Sequence, residues 1–284
     1  MKRFVFFVLV GTVLILTGNT EIKSQDITLG SIYAKENVPY RRPVPLPHLR
    51  EADIGFTKMI WRMVDLREKI NHPLYFPAEP FGSRISLIDL LYKAVSDGEL
   101  EVYETDEFKV VRDLEAIDSR LGGEMQLATV ADLETGEETT VEIPGEVRTH
   151  EVRQYLLLEQ WYFDKQHSTF KSRLIGFSPI RVYQRLGDDG VQEDEVRREF
   201  VFWVYYPAAR DILARQEVFT GENDLSNLSF DDIFLQRRFS GYIYKESNLW
   251  DREIQEYALG RDALYEAQRI HNLIFDFEQD LWEY

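Results

Sequence analysis

Apolar residues between positions 50 and 77 recur at spacings of three and four. The positions are Phe56, Met59, Met63, Leu66 and Ile70. This spacing places them on one face of an amphipathic helix. Asp53 suits an N-cap, Pro73 suits a stop, and Asp65–Lys69 is a favourable i,i+4 charge pair on the outer face. The pattern therefore predicts a docking helix with a charged rim.

The rest of the chain predicts helices and strands in mixed order. Ser86, with Asp89 three positions on, opens a capped helix, and Ser229 with Asp232 opens another. A helix also starts at Pro207, where the missing N–H is harmless. The other predicted elements are strands at 99–103, Gln154–Asp164, Leu174–Tyr183, Phe200–Tyr206 and Phe239–Lys245, and helices at Asp113–Leu121 and Arg261–Trp282. These elements predict an α/β or α+β fold, a mixed sheet covered by amphipathic helices.

A weak internal echo raises the hypothesis of two related halves. The first copy is Tyr75–Pro77, the Ser86 cap and the strand Leu100–Tyr103. The second is Tyr205–Pro207, the Ser229 cap and the strand Tyr242–Tyr244. Chance resemblance is the alternative, because the connecting lengths differ.

Composition divides the chain into four segments. Residues 1–24 have a basic start and an uncharged apolar run, Phe4–Leu16, which predicts a cleaved signal peptide, since a membrane span needs ~20 apolar residues. Residues 25–50 form a proline-rich basic arm that favours extended polyproline-II backbone. Residues 51–150 form an N-terminal half with an acidic excursion, and 151–284 form a β-rich half that ends in a long helix.

Charge and cysteine content exclude several classes of function. The net charge is −17, and removal of the three positive and one negative residues of the leader takes it to about −19. Such a chain repels nucleic acid and anionic lipid. The chain has no cysteine, which excludes a lipidated cysteine, a disulfide and a thiolate metal site. Any membrane attachment is therefore expected to come through a partner.

The acid residues are concentrated in one region. Residues 99–146 carry 15 Asp or Glu against three Lys or Arg. The EF-hand loop pattern is missing, so an acidic segment exposed to solvent is favoured over a calcium site. An acidic docking surface for a neighbour's basic arm is a third interpretation.

Catalytic and cofactor motifs are not found. Ser178 lacks the second glycine of a nucleophile elbow, and His150 lacks the second histidine of a zinc helix. Asp164 and His167 are interpreted as a satisfied turn pair. Trp250 and Trp282 are candidates for exposed aromatic anchors. We therefore predict a non-catalytic protein without cofactor or metal.

One stretch resembles a known family. Arg50–Asp53 reads R-E-A-D, and Trp61–Pro77 reads W-R-M-V-D-L-R-E-K-I-N-H-P-L-Y-F-P. Both resemble the signature of the GldN/PorN family, periplasmic components of the type IX secretion and gliding machinery. The resemblance implies a ring-like assembly with a GldK/PorK-like outer-membrane lipoprotein and contact with a GldM/PorM-like inner-membrane motor protein.

These observations together predict a structural subunit that is exported to the periplasm, lies peripheral to the outer membrane and oligomerises within a ring. An arm bound to the acidic region of the next copy is the expected contact. The predicted interface residues are Tyr40, Arg41, Arg42, Trp61, Arg62, Asp65 and Arg67. The alternatives are a periplasmic glycan-binding or glycan-cleaving protein and a chaperone or inhibitor of exported substrates.

Overall fold

An antiparallel sheet of seven strands is the frame of the molecule. The computed structural model describes residues 40–81, 84–123, 126–131, 138–143, 145, 147–186, 192–218 and 228–280. The strands are β1 (Ile54–Asp65), β2 (Val102–Tyr103), β3 (Gln126–Ala131), β4 (Glu138–Ile143), β5 (Val152–Asp164), β6 (Thr169–Leu186), β7 (Gln192–Phe200), β8 (Trp203–Tyr205) and β9 (Tyr242–Glu246). The order in the large sheet is β2-β8-β6-β5-β1-β9, and β7 pairs with the outer part of β6. Strands β3 and β4 form a separate two-stranded sheet.

Helices cover one face of this sheet. They are α1 (His72–Tyr75), α2 (Leu87–Ser96), α3 (Leu114–Arg120), α4 (Tyr206–Arg215), α5 (Phe230–Leu235), α6 (Ile254–Tyr257) and α7 (Arg261–Asp280). The main core packs α2, α4 and α5 against the sheet around Leu157 and Phe177. A second core packs Ile270 and Ile274 of α7 against Ile60 and Ile243. The mixed α+β class predicted from the sequence is therefore confirmed.

The predicted docking helix is wrong, because residues 54–65 form the inner strand β1. This strand pairs with β5 on one side and with β9 on the other. Val64 belongs to the main core, whereas its neighbour Met63 belongs to a cluster with Leu156 and Leu158. A strand that buries both faces has no alternation of apolar and polar residues. Its apolar residues therefore matched a helical spacing by coincidence.

The run Phe200–Tyr206 is also divided differently from the prediction. Phe200 ends β7, and only Trp203–Tyr205 form the strand β8, before Tyr206 begins α4. Val201 and Phe202 are buried in the link between the two strands, where the Val201 N–H donates to the Pro179 carbonyl. The run Phe200–Tyr206 is therefore apolar because the link between the two strands is buried as well as strand β8.

Local signals for helix ends are confirmed. The Ser86 hydroxyl accepts from the Asp89 N–H at the start of α2. Ser229 and Asp232 form a reciprocal capping box at the start of α5. Pro207 lies in the first turn of α4, and α7 begins at Arg261 as predicted, while its predicted end at Trp282 lies outside the described residues. The predicted turn at 187–190 lies outside the described residues.

The hypothesis of two related halves stays a prediction, because the first copy begins at Tyr75–Pro77, which form the end of α1 and the link after it and not a strand. The large sheet nevertheless has a symmetric strand order. The unit β1–α2–β2 and the unit β8–α5–β9 each place a capped helix between two strands. Strand β2 pairs with β8, and β9 pairs with β1. Each unit thus places its last strand beside the first strand of the other, on opposite sides of the β5–β6 hairpin. The strand order from β2 to β9 is therefore symmetric. Exchanging the two units, and β5 with β6, gives the same order counted from the opposite edge.

Gly176 is required where three parts of the chain meet. A Cβ atom built on Gly176 lies 2.7 Å from the Val204 carbonyl oxygen and 2.4 Å from the Phe108 ring. The first atom is backbone of the neighbouring strand, so it cannot move without disturbing β8.

We therefore expect Gly176→Ala to lower the free energy of unfolding by about 1–3 kcal/mol, the usual cost of overpacking. Urea denaturation measures this change. The double variant Gly176→Ala/Phe108→Ala removes the ring. The loss of unfolding free energy caused by Gly176→Ala is expected to remain in it, because the contact with the Val204 carbonyl remains. An unchanged midpoint for the single variant would contradict this account of the β6–β8 pairing.

Candidate interaction surfaces

The described part of the arm lies against its own chain. The Arg41 guanidinium forms an ion pair of 2.7 Å with Asp232. The Arg210 side chain donates to the Val44 carbonyl at 2.6 Å, and the Arg173 side chain donates to the Pro47 carbonyl. Backbone carbonyls of extended segments have no partners within the segment, so arginines of the folded body satisfy two of them.

A buried chain of polar groups supports this arm contact. Arg210 holds Asp231 through two bonds of 3.0 Å, and the Tyr206 hydroxyl donates to the same carboxylate at 2.5 Å. Burial, followed by the hydrogen bond to Asp231, raises the Tyr206 pKa above its ordinary value. Arg210 thus links the arm at Val44 to a buried carboxylate in the first turn of α5.

The seven predicted interface residues occupy different environments. Tyr40 is 85% exposed, and Arg42 is exposed as well. Trp61 is half-buried, and its indole N–H donates to Asp106 at 3.0 Å. Arg62 is buried, while Asp65 and Arg67 are brought together at 2.5 Å. Their contact with a partner stays a prediction.

Arg62 belongs to an internal ion cluster that the sequence did not indicate. Glu159, only 1% exposed, accepts from Arg62 at 3.3 Å and from Arg237 at 2.9 Å. The Trp161 indole N–H donates to the same carboxylate at 3.0 Å. Burial, opposed by Glu159, lowers the Arg62 pKa. The cluster ties β1 and β5 to the segment before β9.

Asp164 and His167 form the predicted turn pair at the β5–β6 hairpin. The Asp164 carboxylate accepts from Lys171 at 3.0 Å and from the backbone N–H of Gln166 at 3.0 Å, and it lies 2.6 Å from the His167 Nδ1. These donors, led by Lys171, lower the Asp164 pKa. The histidine is held locally in the turn, as predicted. In the parts of the chain that the structure describes, no three His, Asp or Glu side chains are placed to hold a metal ion.

The lowered pKa of Asp164 implies that the stability of the fold decreases in acid. A carboxyl whose pKa is lower when folded than the unfolded value of about 3.9 stabilises the fold above that pH, and the contribution is lost as pH falls. We expect Asp164→Asn to be less stable than the natural chain at pH 7. The difference should shrink below about pH 4. Urea denaturation at pH 7 and pH 3 measures it, and an equal difference at both pH values would contradict it.

An apolar surface surrounds the C-terminal helix. Nine large apolar side chains within residues 249–277 are exposed: Leu249, Trp250, Tyr257, Leu259, Leu264, Tyr265, Leu273, Phe275 and Phe277. Trp250, predicted as an exposed anchor, is 70% exposed, and Trp282 lies outside the described residues. Such concentrations on a protein surface mark sites of interaction. We call these nine residues the C-terminal apolar surface.

A groove opens in this surface beside strand β9. The groove has a volume of about 350 Å³ and lies between β9, α6 and the start of α7. Its lining includes Ile243, Ile254, Ala263 and the exposed Leu259 and Leu264. Strand β9 ends the order of the large sheet, and its residues Tyr242, Ile243 and Tyr244 line this groove. An apolar groove at a sheet edge can take an extended or helical segment of a partner. We call it the edge groove.

Among the described residues, none of the helices is both long enough and apolar enough to cross a bilayer. The curated proteins include no match to the chain. The sequence model of the family described as "Gliding motility associated protein GldN" matches residues 49–283, which span the sheet, the edge groove and α7. The chain therefore belongs to the GldN family of gliding motility associated proteins.

Proposed function

We propose that this gliding motility associated protein is a non-catalytic structural subunit of the type IX secretion and gliding machinery. It would be exported to the periplasm and built into a ring-like complex with a GldK/PorK-like outer-membrane lipoprotein. A GldM/PorM-like inner-membrane motor protein would contact that complex. The subunit would attach to the outer membrane only through these partners.

The observation that carries this proposal is the C-terminal apolar surface with its edge groove. Leu259 is 78% exposed and Leu264 is 54% exposed, and both line the groove. Burial of such side chains at an interface contributes about 25 cal/mol for each Å² of apolar area removed from water. A surface of this kind is suited to holding a partner permanently rather than to turning over a substrate.

Isolation of the tagged full chain from the envelope in mild detergent tests the proposal. The companions are identified by mass spectrometry, and their ratio to the chain is measured. We expect an outer-membrane lipoprotein at a fixed ratio. A changing set of exported clients would instead favour a chaperone.

A glycan-binding protein is the competing outcome. The exposed ring of Trp250 suits stacking on a sugar, although the Arg252 guanidinium lies 4.8 Å from the ring centroid. Specific retention on peptidoglycan, lost in Trp250→Ala and without a fixed protein companion, would overturn the structural role.

A further inference from the structure

The described part of the arm turns one row of side chains to solvent. The Arg41 side chain is paired with Asp232, and Arg41 and Pro43 are only half exposed. Tyr40 is 85% exposed and Val44 is 56% exposed. The exposed row occupies every second position and consists of Tyr40, Arg42, Val44 and Leu46. We call these four side chains the arm face.

The body of the chain holds the arm by its backbone and leaves the arm face open. Arg210 and Arg173 donate to carbonyl oxygens of the arm and not to its side chains. The prolines at 43, 45 and 47 restrict the backbone further, because each fixes its own φ angle. A segment that is ordered before it binds loses less conformational entropy on binding. The arm face is therefore a preformed ligand.

A second exposed row runs along the outer side of α7. Tyr265, Gln268, Asn272 and Asp276 follow the helical spacing of three and four, with Leu273 beside them. These five residues line one depression. Tyr265 is 70% exposed and Leu273 is 47% exposed. We call the five residues the α7 outer face. Leu259 and Leu264, the exposed residues of the edge groove, do not belong to it.

The two faces carry complementary charges. Arg42 and Asp276 are both exposed, and neither forms an ion pair with any residue that the structure describes. The Asn272 side-chain oxygen accepts from Gln268 at 2.8 Å, so the Asn272 N–H groups can still donate to a backbone carbonyl. Each face thus offers a charge and apolar surface that the other can use.

The two faces also match in length. Tyr265 to Asp276 spans about 17 Å at the helical rise of 1.5 Å per residue. Tyr40 to Leu46 spans about 19 Å at the 3.1 Å per residue of polyproline II. With Leu46 beside Tyr265, Arg42 lies about 4 Å from Asp276 along the helix axis, whereas the opposite direction would separate them by about 10 Å. The charges therefore favour an arm that runs antiparallel to α7.

We propose that the arm face of one copy binds the α7 outer face of a second copy, antiparallel to the helix. The inference rests on the proposed function, because a ring subunit must present two complementary surfaces to its neighbours. The two faces are different surfaces, so the contact can repeat from copy to copy and close into a ring. It differs from the predicted contact with the acidic region, residues 99–146, in the surface that receives the arm.

Cysteine cross-linking in the envelope tests the contact, because the natural chain has no cysteine. Two full-length chains with different tags, Leu46→Cys and Tyr265→Cys, are expressed together and oxidised. We expect a covalent dimer that carries both tags. The matched control replaces Tyr265→Cys by Val196→Cys, a side chain on β7 that is 52% exposed. The control pair should give about tenfold less dimer.

Charge reversal tests the pairing of Arg42 with Asp276 by the same readout. Adding Arg42→Glu to the Leu46→Cys chain should lower the yield of dimer about tenfold, because like charges then face each other. Adding Asp276→Arg to the Tyr265→Cys chain should restore the yield. Arg215→Glu, an exposed arginine outside both faces, is the control for added negative charge on the Leu46→Cys chain and should leave the yield unchanged.

Two results would overturn the inference. They are a yield for the Leu46→Cys and Tyr265→Cys pair no higher than for the Val196→Cys control, and a yield that does not respond to Arg42→Glu. Recovery of the outer-membrane lipoprotein at a fixed ratio with the same tagged chains separates this failure from failure of the proposed function, because the structural role can stand without this contact.

Discussion

Glu159→Ala is expected to lower the free energy of unfolding by about 3–5 kcal/mol, the cost of removing one partner of a buried ion pair. Glu159 is 1% exposed and is the shared carboxylate of Arg62 and Arg237. Arg62 is itself buried, so the substitution leaves a positive charge without its carboxylate in the interior. The loss follows from that unpaired charge rather than from the removed atoms.

Urea denaturation at pH 7 measures this effect as a shift of midpoint. The matched control is Glu266→Ala, which breaks the exposed pair with Arg269 on α7. That pair should contribute only about 0–1 kcal/mol. Equal and small losses in the two variants would contradict the view that the Arg62 cluster holds β1 in the sheet.

If the proposed function holds, the double variant Leu259→Glu/Leu264→Glu is expected to abolish recovery of the proposed outer-membrane lipoprotein and to stop gliding or type IX secretion. Both side chains are exposed and line the edge groove, so two carboxylates placed there would have to be desolvated when a partner binds. The fold should be retained, because position 264 lies in the first turn of α7, where negative charge is favourable.

A second pair of substitutions controls for added charge. Ala116 and Ala208 are exposed and lie near the starts of α3 and α4. Ala116→Glu/Ala208→Glu adds the same two charges outside the edge groove and should leave assembly intact. Equal loss in both double variants, or normal recovery of the partner with Leu259→Glu/Leu264→Glu, would exclude the edge groove as the contact.

Local sequence signals predicted parts of this structure that depend on neighbours along the chain. The caps at Ser86 and Ser229 are set by residues three positions away, and the turn of Asp164 with His167 is equally local. Such contacts can be predicted from the sequence, because the spacing of the residues along the chain fixes their geometry. The long helix α7 was predicted for the same reason.

Features that depend on distant residues were not predictable. Residues 54–65 form a strand because β5 and β9 pair with its two edges and core side chains pack on both of its faces. Glu159 meets Arg237 from 78 positions away. This pairing leaves no local pattern. The family, by contrast, was recognisable from a short motif whose secondary structure was predicted wrongly, since residue identity alone carries such a resemblance.

The native mass of the particle that contains the tagged chain, isolated gently from the envelope, tests the structural role most directly. The account predicts a particle many times larger than the 33.5 kDa chain, with the outer-membrane lipoprotein at a fixed ratio. A free monomer under the same conditions, in cells that glide or secrete normally, would contradict it.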